Sequence, residues 1–207
     1  MSILEEIKES VIKGNAAKVT ECTEQAIVEA IGVADIINDG LIAGMNVVGV
    51  RFKANEIYVP EVLVAARAMR AGMTVIKPLI ANADIKEKGV VLIGTVKGDL
   101  HDIGKNLVII MLEGAGYKVI DLGVDVDGEK FIQAVKEYKP QIVGLSALLT
   151  TTMMQMKYCV EVLKPYGVKI MIGGAPVTQK YADEIGADAY AADAATAVEK
   201  ANEFLAS

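Results

Sequence analysis

The sequence predicts a bundle of four helices followed by an α/β domain with a parallel sheet, because the hydrophobic period changes once along the chain. Residues 1–82 repeat apolar side chains every three or four positions, as amphipathic helices do. Residues 89–207 carry short runs rich in Val, Ile and Leu that alternate with helical stretches, as buried parallel strands do. The polar residues 83–88, within "ANADIKEKG", are interpreted as a linker between two domains.

Each helix of the first half has its own signal. "SILEEIKESVIK" opens with a Ser-x-x-Glu capping box, and "NAAKVTECTEQAIVEA" follows after a glycine. "VADIINDGLIAGMNVVGVRF" contains Gly40, Gly44 and Gly49; since a glycine costs a helix about 0.5–1 kcal/mol, they indicate close packing or a close ligand. "VPEVLVAARAMRAGMTVIKPLI" has Pro60 in its first turn. Together these segments predict a small helical bundle.

Five apolar runs in the second half predict the strands. They are "VVLIGTV", "YKVIDLG", "QIVGLSAL", "VKIMIGG" and "ADAYAAD". Helices predicted to begin near residues 104, 128, 151, 176 and 195 follow these strands. With right-handed crossovers, this order gives a doubly wound parallel sheet of five strands.

Composition and charge exclude several function classes. With 53% hydrophobic and 23% charged residues, the chain is typical of a globular protein. A net charge of −6 with scattered Lys and Arg argues against a nucleic-acid partner. No uninterrupted apolar run approaches the roughly 18 residues of a membrane helix, and the acidic start argues against a secretory signal. We therefore expect a cytoplasmic protein that binds neither nucleic acid nor membrane.

The candidate functional residues lie where the predicted strands end, which is where doubly wound sheets bind ligands. The exit loop of the first strand, within "VKGDLHDIGKN", contains Gly98, Asp99, Gly104 and His101, the one histidine of the chain. Small and hydroxyl residues occupy the other strand ends: Ser146, Thr150, Thr151, Thr152, Gly173, Gly174, Tyr190 and Ala191. This pattern indicates a sizeable ligand that lies against the backbone.

Common phosphate-binding motifs do not fit these loops. Five residues separate Gly98 from Gly104, where a P-loop requires four, and Asn106 stands where Ser or Thr should hold magnesium. No Gly-x-Gly-x-x-Gly follows the first strand. Ser146 ends the third strand, where a phosphorelay receiver needs an aspartate.

His101 is a candidate metal ligand, base or structural residue. Asp99 can accept a hydrogen bond from its ring and fix the tautomer, as carboxylates beside metal-bound histidines do. A free zinc site would need three or four protein ligands, and no second histidine or loop cysteine is available. A metal held by one protein histidine must bring most of its own ligands, which leaves haem and corrin as alternatives.

Three sequence motifs resemble those of a known family. Asp99-Leu100-His101-Asp102-Ile103-Gly104 matches the Asp-x-His-x-x-Gly signature of cobalamin-binding proteins that displace the cofactor's own base. Ser146-Ala147-Leu148 matches their Ser-x-Leu, and Gly173-Gly174 matches their Gly-Gly. "GMNVVGVRFKANEIYVPEVLVAARAM" looks like the cap bundle of methionine synthase and of small corrinoid proteins. The chain thus resembles corrinoid methyl-carrier proteins, which implies a four-helix cap and a flavodoxin-like cobalamin-binding domain.

The resemblance implies a role for each matching residue. His101 becomes the lower axial ligand of cobalt through Nε2, and Asp99 and Thr152 form the hydrogen-bond relay behind it. Thr152 stands where methionine synthase has a serine. Contacts to the cofactor are expected from Gly98, Asp102, Ile103, Gly104, Ser146, Leu148, Thr150, Gly173, Gly174, Tyr190 and Ala191. From the cap, Phe52 and Val59 match positions that cover the upper, methyl-bearing face.

By the same resemblance, the protein carries a methyl group on cobalt and cycles between cob(I)alamin and methylcob(III)alamin. One methyltransferase loads it from methanol, a methylamine, glycine betaine or a methoxyarene, and another unloads it to tetrahydrofolate or coenzyme M. A reductive activase is a further expected partner. The chain is therefore expected to be a subunit and not an enzyme on its own.

Two alternatives remain open at this point. One is the cobalamin-binding subunit of a carbon-skeleton mutase, which shares Asp-x-His-x-x-Gly but usually lacks the helical cap. The other is a cobalamin-dependent sensor, which usually carries an output segment such as a DNA-binding domain. We assign no segment of this sequence to such an output.

Overall fold

The computed structural model describes residues 2–80 and 87–206. Most of the predicted linker, residues 83–86 of 83–88, lies outside these described residues, so the linker stays a prediction. The chain divides into two compact units: a helical unit, Met1–Glu87 with Gly114–Gly116, and an α/β unit, Lys88–Glu113 with Tyr117–Ser207.

The helical unit contains the four predicted helices. Their bounds are α1 Ile3–Ile12, α2 Ala16–Val28, α3 Val33–Lys53 and α4 Val59–Ile80. The side chains of Ser2 and Asn15 cap α1 and α2 by accepting the amides of Glu5 and Lys18 at 3.3 and 3.1 Å. Caps of this kind satisfy amides that the first helical turn leaves without partners.

Close packing explains two glycines of α3. A Cβ at Gly40 would lie 3.0 Å from the side chain of Ile7, and one at Gly44 would lie 2.8 Å from that of Val11. These glycines therefore let α3 approach α1 more closely than any larger residue would allow. Residues Ile36–Ile42 form a π-helical stretch within α3, a feature that the apolar spacing did not predict.

By length and composition alone, α3 could cross a membrane, although its apolar residues are interrupted. Its buried residues include Ile36, Leu41, Met45 and Val48. A buried core helix of a helical bundle meets the same criterion, because it too is apolar over most of its length.

Gly44→Ala is expected to lower the free energy of unfolding by about 1 kcal/mol. Overpacking against Val11 costs about 1–3 kcal/mol, and the higher helix propensity of alanine offsets about 1 kcal/mol of that cost. Asn46→Ala is the matched control, because Asn46 is exposed on the same helix and should show only a small gain. Urea unfolding followed by circular dichroism compares the two variants. A stabilising effect of Gly44→Ala would contradict the packing explanation.

The α/β unit has the predicted doubly wound sheet. Its strands are β1 Val90–Thr95, β2 Lys118–Asp121, β3 Ile142–Ser146, β4 Lys169–Gly173 and β5 Ala189–Ala191. All pairings are parallel, in the order β2-β1-β3-β4-β5, which confirms the predicted fold class. The helices that follow the strands are α5 Ile103–Gly114, α6 Gly128–Tyr138, α7 Met153–Leu163, α8 Gln179–Ile185 and α9 Ala194–Ala206.

The last strand is shorter than predicted, and one aspartate lies just before it and another shortly after it. Asp188 accepts the amide of Ile170 at 2.9 Å through its side chain, before β5 begins. Asp193 accepts the amide of Thr196 at 2.7 Å and so caps α9. Only Ala189–Ala191 remain in the ladder, beside the end of β4.

Candidate functional site

The His101 loop connects β1 to α5 and is fixed to the strand that it leaves. The amide of Asp99 donates to the carbonyl of Val96 at 3.1 Å, which closes a tight turn. Gly98 has φ +81° in this turn, a conformation that favours glycine. The hydroxyl of Thr95 donates to the carbonyl of His101 at 2.9 Å. The sequence therefore places the histidine on a short, hydrogen-bonded loop at the carboxyl end of β1.

Asp99 is the centre of the site, and its side chain is fully buried. Its Oδ1 lies 2.8 Å from Nδ1 of His101 and accepts the amide of the same residue at 3.1 Å. Its Oδ2 accepts the amides of Leu148 and Leu149 at 2.8 and 3.2 Å and the hydroxyl of Thr152 at 2.8 Å. The carboxylate thus joins the loop after β1 to the loop after β3.

These hydrogen bonds keep Asp99 ionised. Burial alone would raise the pKa of Asp99, but hydrogen bonds from the His101 ring, the Leu148 amide, the Thr152 hydroxyl and the His101 amide hold that pKa well below its usual range. Because the carboxylate can only accept, the ring nitrogen that faces it, Nδ1, carries a proton. In the neutral ring, the lone pair is then on Nε2, which is the nitrogen needed for metal ligation.

The threonine at position 152 preserves the expected hydroxyl contact. Its Oγ1 lies 2.8 Å from Asp99 Oδ2 and 2.8 Å from the carbonyl oxygen of Leu149. A hydroxyl has one proton to donate, and the ionised carboxylate is the stronger acceptor. The methyl group of Thr152 faces Gly98 and would lie 3.6 Å from a Cβ at that glycine. The extra methyl relative to serine is therefore accommodated beside a glycine.

The surroundings of His101 fit a flat, apolar macrocycle that carries its own metal. The histidine side chain is 51% exposed, whereas Asp99 behind it is inaccessible. Leu100 and Ile103 beside it are 71% and 84% exposed, and Leu148 and Leu149 are also exposed. Among the described residues, no group of three or more His, Cys, Asp or Glu side chains could hold a metal ion. A single free imidazole amid exposed apolar side chains suits a corrin, which brings the other ligands of cobalt.

The sheet register brings the remaining predicted residues of this unit to one edge. Ser146 pairs with Gly173, and Gly173 pairs with Ala191, at the ends of β3, β4 and β5. Leu148 and Thr150 follow in the exit loop of β3, Gly174 directly follows β4, and Tyr190 lies within β5. The predicted contacts thus occupy adjacent strand ends.

Backbone packing bears on both glycines at the end of β4. A Cβ at Gly173, the last residue of β4, would lie 3.0 Å from the carbonyl oxygen of Ala191 in β5, which is a tight contact. Gly174 has φ +130°, and a Cβ there would overlap the carbonyl of Ala147. Glycine is therefore required at position 174 and favoured at position 173, whether or not a ligand also touches them.

Other predicted residues have local roles or lie in the helical unit. Asp102 accepts the side-chain amide of Asn106 at 3.0 Å and precedes α5. Gly104 has open space where a Cβ would be, so packing within the protein does not require a glycine there. Phe52 is near the end of α3 and Val59 begins α4, both within the helical unit.

Sequence reasoning missed Asp125 and the contacts of the loop that contains it. The Asp125 side chain accepts the amide of Gly98 at 2.7 Å, and its own amide donates to the carbonyl of Asp99 at 3.0 Å. The one available signal was the spacing after β2, which places Asp125 near the same sheet edge. Its side chain alone was indistinguishable from a solvated loop acid.

Two family models match the chain, and both describe a B12 binding domain. One covers residues 89–201 and the other covers residues 3–77. The two matches thus fall on the α/β part and on the helical part, respectively.

Curated relatives extend the match to nearly the whole chain. A corrinoid protein, DSY3155, from Desulfitobacterium hafniense is 43% identical over 99% of this chain and 98% of its own length. A dimethylamine corrinoid protein from Methanosarcina barkeri is 45% identical over 99% of this chain and 98% of its own length. A trimethylamine corrinoid protein from Methanosarcina acetivorans is 43% identical over 98% and 97%.

Solved structures give the same result. The methanol:cobalamin methyltransferase complex MtaBC from Methanosarcina barkeri contains a chain with TM-score 0.89 and 33% identity, aligned over 99% of this chain and 80% of that one. A cobalamin-binding protein from Desulfitobacterium hafniense has a TM-score of 0.81 and 31% identity, aligned over 97% of this chain and 98% of that one. With the Asp99–His101 site at the sheet edge, these matches show that the chain belongs to the B12-binding family and is a corrinoid protein similar to those of methyltransferase systems.

Proposed function

We propose that this corrinoid protein carries a methyl group between two methyltransferases. One transfers the group from a methylated one-carbon donor, of the methanol, methylamine, betaine or methoxyarene type, and the other delivers it to tetrahydrofolate or coenzyme M. Bound cobalamin supplies a cobalt centre that accepts and releases the methyl group. The observation that carries the proposal is the buried Asp99 carboxylate, 2.8 Å from Nδ1 of a half-exposed histidine.

His101 is the proposed lower ligand of cobalt, through Nε2. Asp99 fixes the tautomer and the orientation of the ring, and Thr152 supports the carboxylate from its other oxygen at 2.8 Å.

Residues at the other strand ends are proposed to bind the displaced nucleotide tail. Ser146 is half-buried and Thr150 is exposed, so their hydroxyls are available at the sheet edge. Gly173, Tyr190 and Ala191 lie on the two adjacent strand ends and would continue the same surface. Support comes from the register that aligns these positions, and from their match to the Ser-x-Leu and Gly-Gly motifs.

The helical unit is proposed to cover the methyl-bearing face of the cofactor through Phe52 and Val59. Phe52 is half-buried and Val59 is exposed, so part of each side chain is accessible for a contact with the cofactor. The division into a cap at 1–82, a linker at 83–88 and a cobalamin-binding domain at 89–207 remains part of this proposal. So do a reductive activase as a partner and a cytoplasmic location.

Methyl transfer to the reduced holoprotein tests the proposal. The protein is loaded with hydroxocobalamin, desalted, reduced to the cobalt(I) state and mixed with the donor methyltransferase of the same organism. Methanol, methylamines, glycine betaine and a methoxyarene are offered in turn, and the absorption spectrum reports methylation. We expect one donor class to methylate the holoprotein, with no reaction when the methyltransferase is heat-inactivated.

The two alternatives give different results in the same assay. If no donor methylates the protein, but adenosylcobalamin binds and changes its association state, the protein is a sensor. If it supports a carbon-skeleton rearrangement with a partner subunit and adenosylcobalamin, it belongs to a mutase. The helical unit and the relatives named for methylamine systems favour the methyl carrier over both.

A further inference from the structure

Asp125 hydrogen-bonds to the His101 loop just before the histidine. Its Oδ1 accepts the amide of Gly98 at 2.7 Å, and its amide donates to the carbonyl oxygen of Asp99 at 3.0 Å. Two consecutive residues of the loop are therefore fixed by one side chain and one amide of Asp125. Because Asp99 follows Gly98 directly, the position of its carboxylate depends on this contact.

The backbone of Asp125 has a conformation that few side chains adopt. Its φ is +54°, in the left-handed region that Asn and Asp tolerate better than other residues with a side chain. Such conformations persist where surrounding contacts determine them, and they concentrate at functional sites. Here the neighbouring backbone is fixed as well, since Val126 forms an isolated parallel bridge with Val96.

A second contact lies after the histidine, between α5 and the end of β2. Nζ of Lys105, whose side chain is buried, lies 2.7 Å from Oδ1 of Asp121, the last residue of β2. The same Asp121 oxygen accepts the amide of Gly123 at 2.9 Å. The segment 121–126, which is the end of β2 and the loop after it, thus contacts the chain on both sides of His101.

We propose that Asp125 is a positioning residue for His101. It holds the backbone of Gly98 and Asp99 so that the Asp99 carboxylate meets Nδ1 of the ring, while the Lys105–Asp121 pair fixes the start of α5. This inference rests on the proposed ligation of cobalt by His101, because the position of the ring matters only if the ring binds. It adds a residue to the site that none of the matching motifs contains.

Asp125→Gly and Asp125→Asn separate the side-chain contact from the backbone conformation. Glycine accepts φ +54° without strain but removes the carboxylate, whereas asparagine keeps an acceptor oxygen and tolerates the same backbone. Asp127→Ala is the matched control, because Asp127 caps α6 by accepting the Lys130 amide, and among the described residues it makes no side-chain hydrogen bond to the His101 loop. Each variant is reconstituted with cobalamin, reduced to cobalt(II) and examined by EPR for nitrogen coupling from histidine.

We expect Asp125→Gly to lower the ratio of His-ligated to unligated cobalt by about fivefold. Asp125→Asn and Asp127→Ala should keep the wild-type ratio. In the apoprotein, the Gly98 amide should exchange with solvent faster in Asp125→Gly than in wild type or in Asp125→Asn. An unchanged ratio in Asp125→Gly, with histidine ligation present in the wild type, would overturn the positioning role alone. Absence of histidine ligation in the wild type would instead overturn the proposed ligand, and the positioning role with it.

Discussion

Asp99→Ala is expected to lower the free energy of unfolding of the α/β unit by about 3 kcal/mol at neutral pH. The change removes the acceptor of five hydrogen bonds from the loops after β1 and β3. The amides of Leu148 and Leu149 lose their acceptor, so part of the loss comes from polar groups left without a partner, whereas the Thr152 hydroxyl can still donate to the carbonyl of Leu149. Urea unfolding measures the change, and reconstitution with cobalamin should give a protein with little histidine ligation.

Thr152→Val is a milder change at the same site, because it removes only one of the donors to Asp99. Valine keeps the shape and the methyl group but removes the hydroxyl that lies 2.8 Å from Asp99. Since the other donors to the carboxylate remain, we expect a loss of about 1 kcal/mol. If Thr152→Val cost as much as Asp99→Ala, the hydroxyl and not the whole set of donors would dominate the stability of the site.

The contribution of Asp99 to the free energy of unfolding should also depend on pH. Because the folded-state pKa of Asp99 lies below its ordinary value of about 3.9, its contribution is fully present above that value and is lost as the pH falls further. The difference in the free energy of unfolding between wild type and Asp99→Ala should therefore be constant between about pH 5 and about pH 7 and shrink below about pH 4. A difference that grew on acidification would contradict the ionised state of Asp99.

Gly174→Ala is expected to destabilise the α/β unit by about 3 kcal/mol or more. A Cβ at this position would overlap the carbonyl of Ala147, and φ is +130°, where a side chain is strained whatever the space. Relief requires movement of the loop after β3, which also contains Leu148, a donor to Asp99. We therefore expect cobalamin binding to weaken together with stability, as measured by unfolding and by corrinoid retained after desalting.

Gly104→Ala is the contrasting substitution. Apart from Gly104 itself, its two chain neighbours and the nearby backbone of α5, no atom of the described residues lies within 4 Å of a Cβ at Gly104. The residue is in the first turn of α5, so stability should be unchanged or slightly higher. Because Gly104 is in the Asp-x-His-x-x-Gly motif beside His101, a ligand against it would meet the new methyl group. Weaker cobalamin binding without loss of stability would support that contact, and unchanged binding would remove Gly104 from the proposed site.

The order of elements and the central pair of the site could be predicted from the sequence. Asp99 and His101 are two residues apart on one loop, so their contact needs no knowledge of tertiary structure. Thr152 was placed by its position, which matches a serine of methionine synthase, and its hydroxyl lies 2.8 Å from Asp99 Oδ2. Predicted strand ends were less accurate, because cap contacts such as that of Asp193 compete with the ladder.

Three features were beyond sequence reasoning for physical reasons. The contact of Asp125 with Gly98 joins residues 27 positions apart, and it depends on how two loops meet at the sheet edge. The role of Gly174 could be read as contact with a ligand or as close backbone approach, and only the position of the Ala147 carbonyl distinguishes these. The π-helical stretch of α3 keeps the apolar spacing of an ordinary helix over most of its length, so it gave no signal.

The central claim is that His101 provides the nitrogen ligand of cobalt in place of the cofactor's own base. The chain has a single histidine, so growth with ¹⁵N-labelled histidine labels one residue only. The labelled protein is loaded with unlabelled cobalamin, reduced to cobalt(II) and examined by EPR beside the unlabelled protein and His101→Ala.

If His101 is the ligand, we expect the nitrogen splitting of the unlabelled protein to change to that of a spin-one-half nucleus in the labelled protein. In His101→Ala, which should remain folded because the side chain is half-exposed, splitting from a protein nitrogen should be absent. An unchanged splitting in the labelled protein would show that the cofactor's own base remains bound to cobalt. That result would contradict the assignment of His101 as the lower ligand.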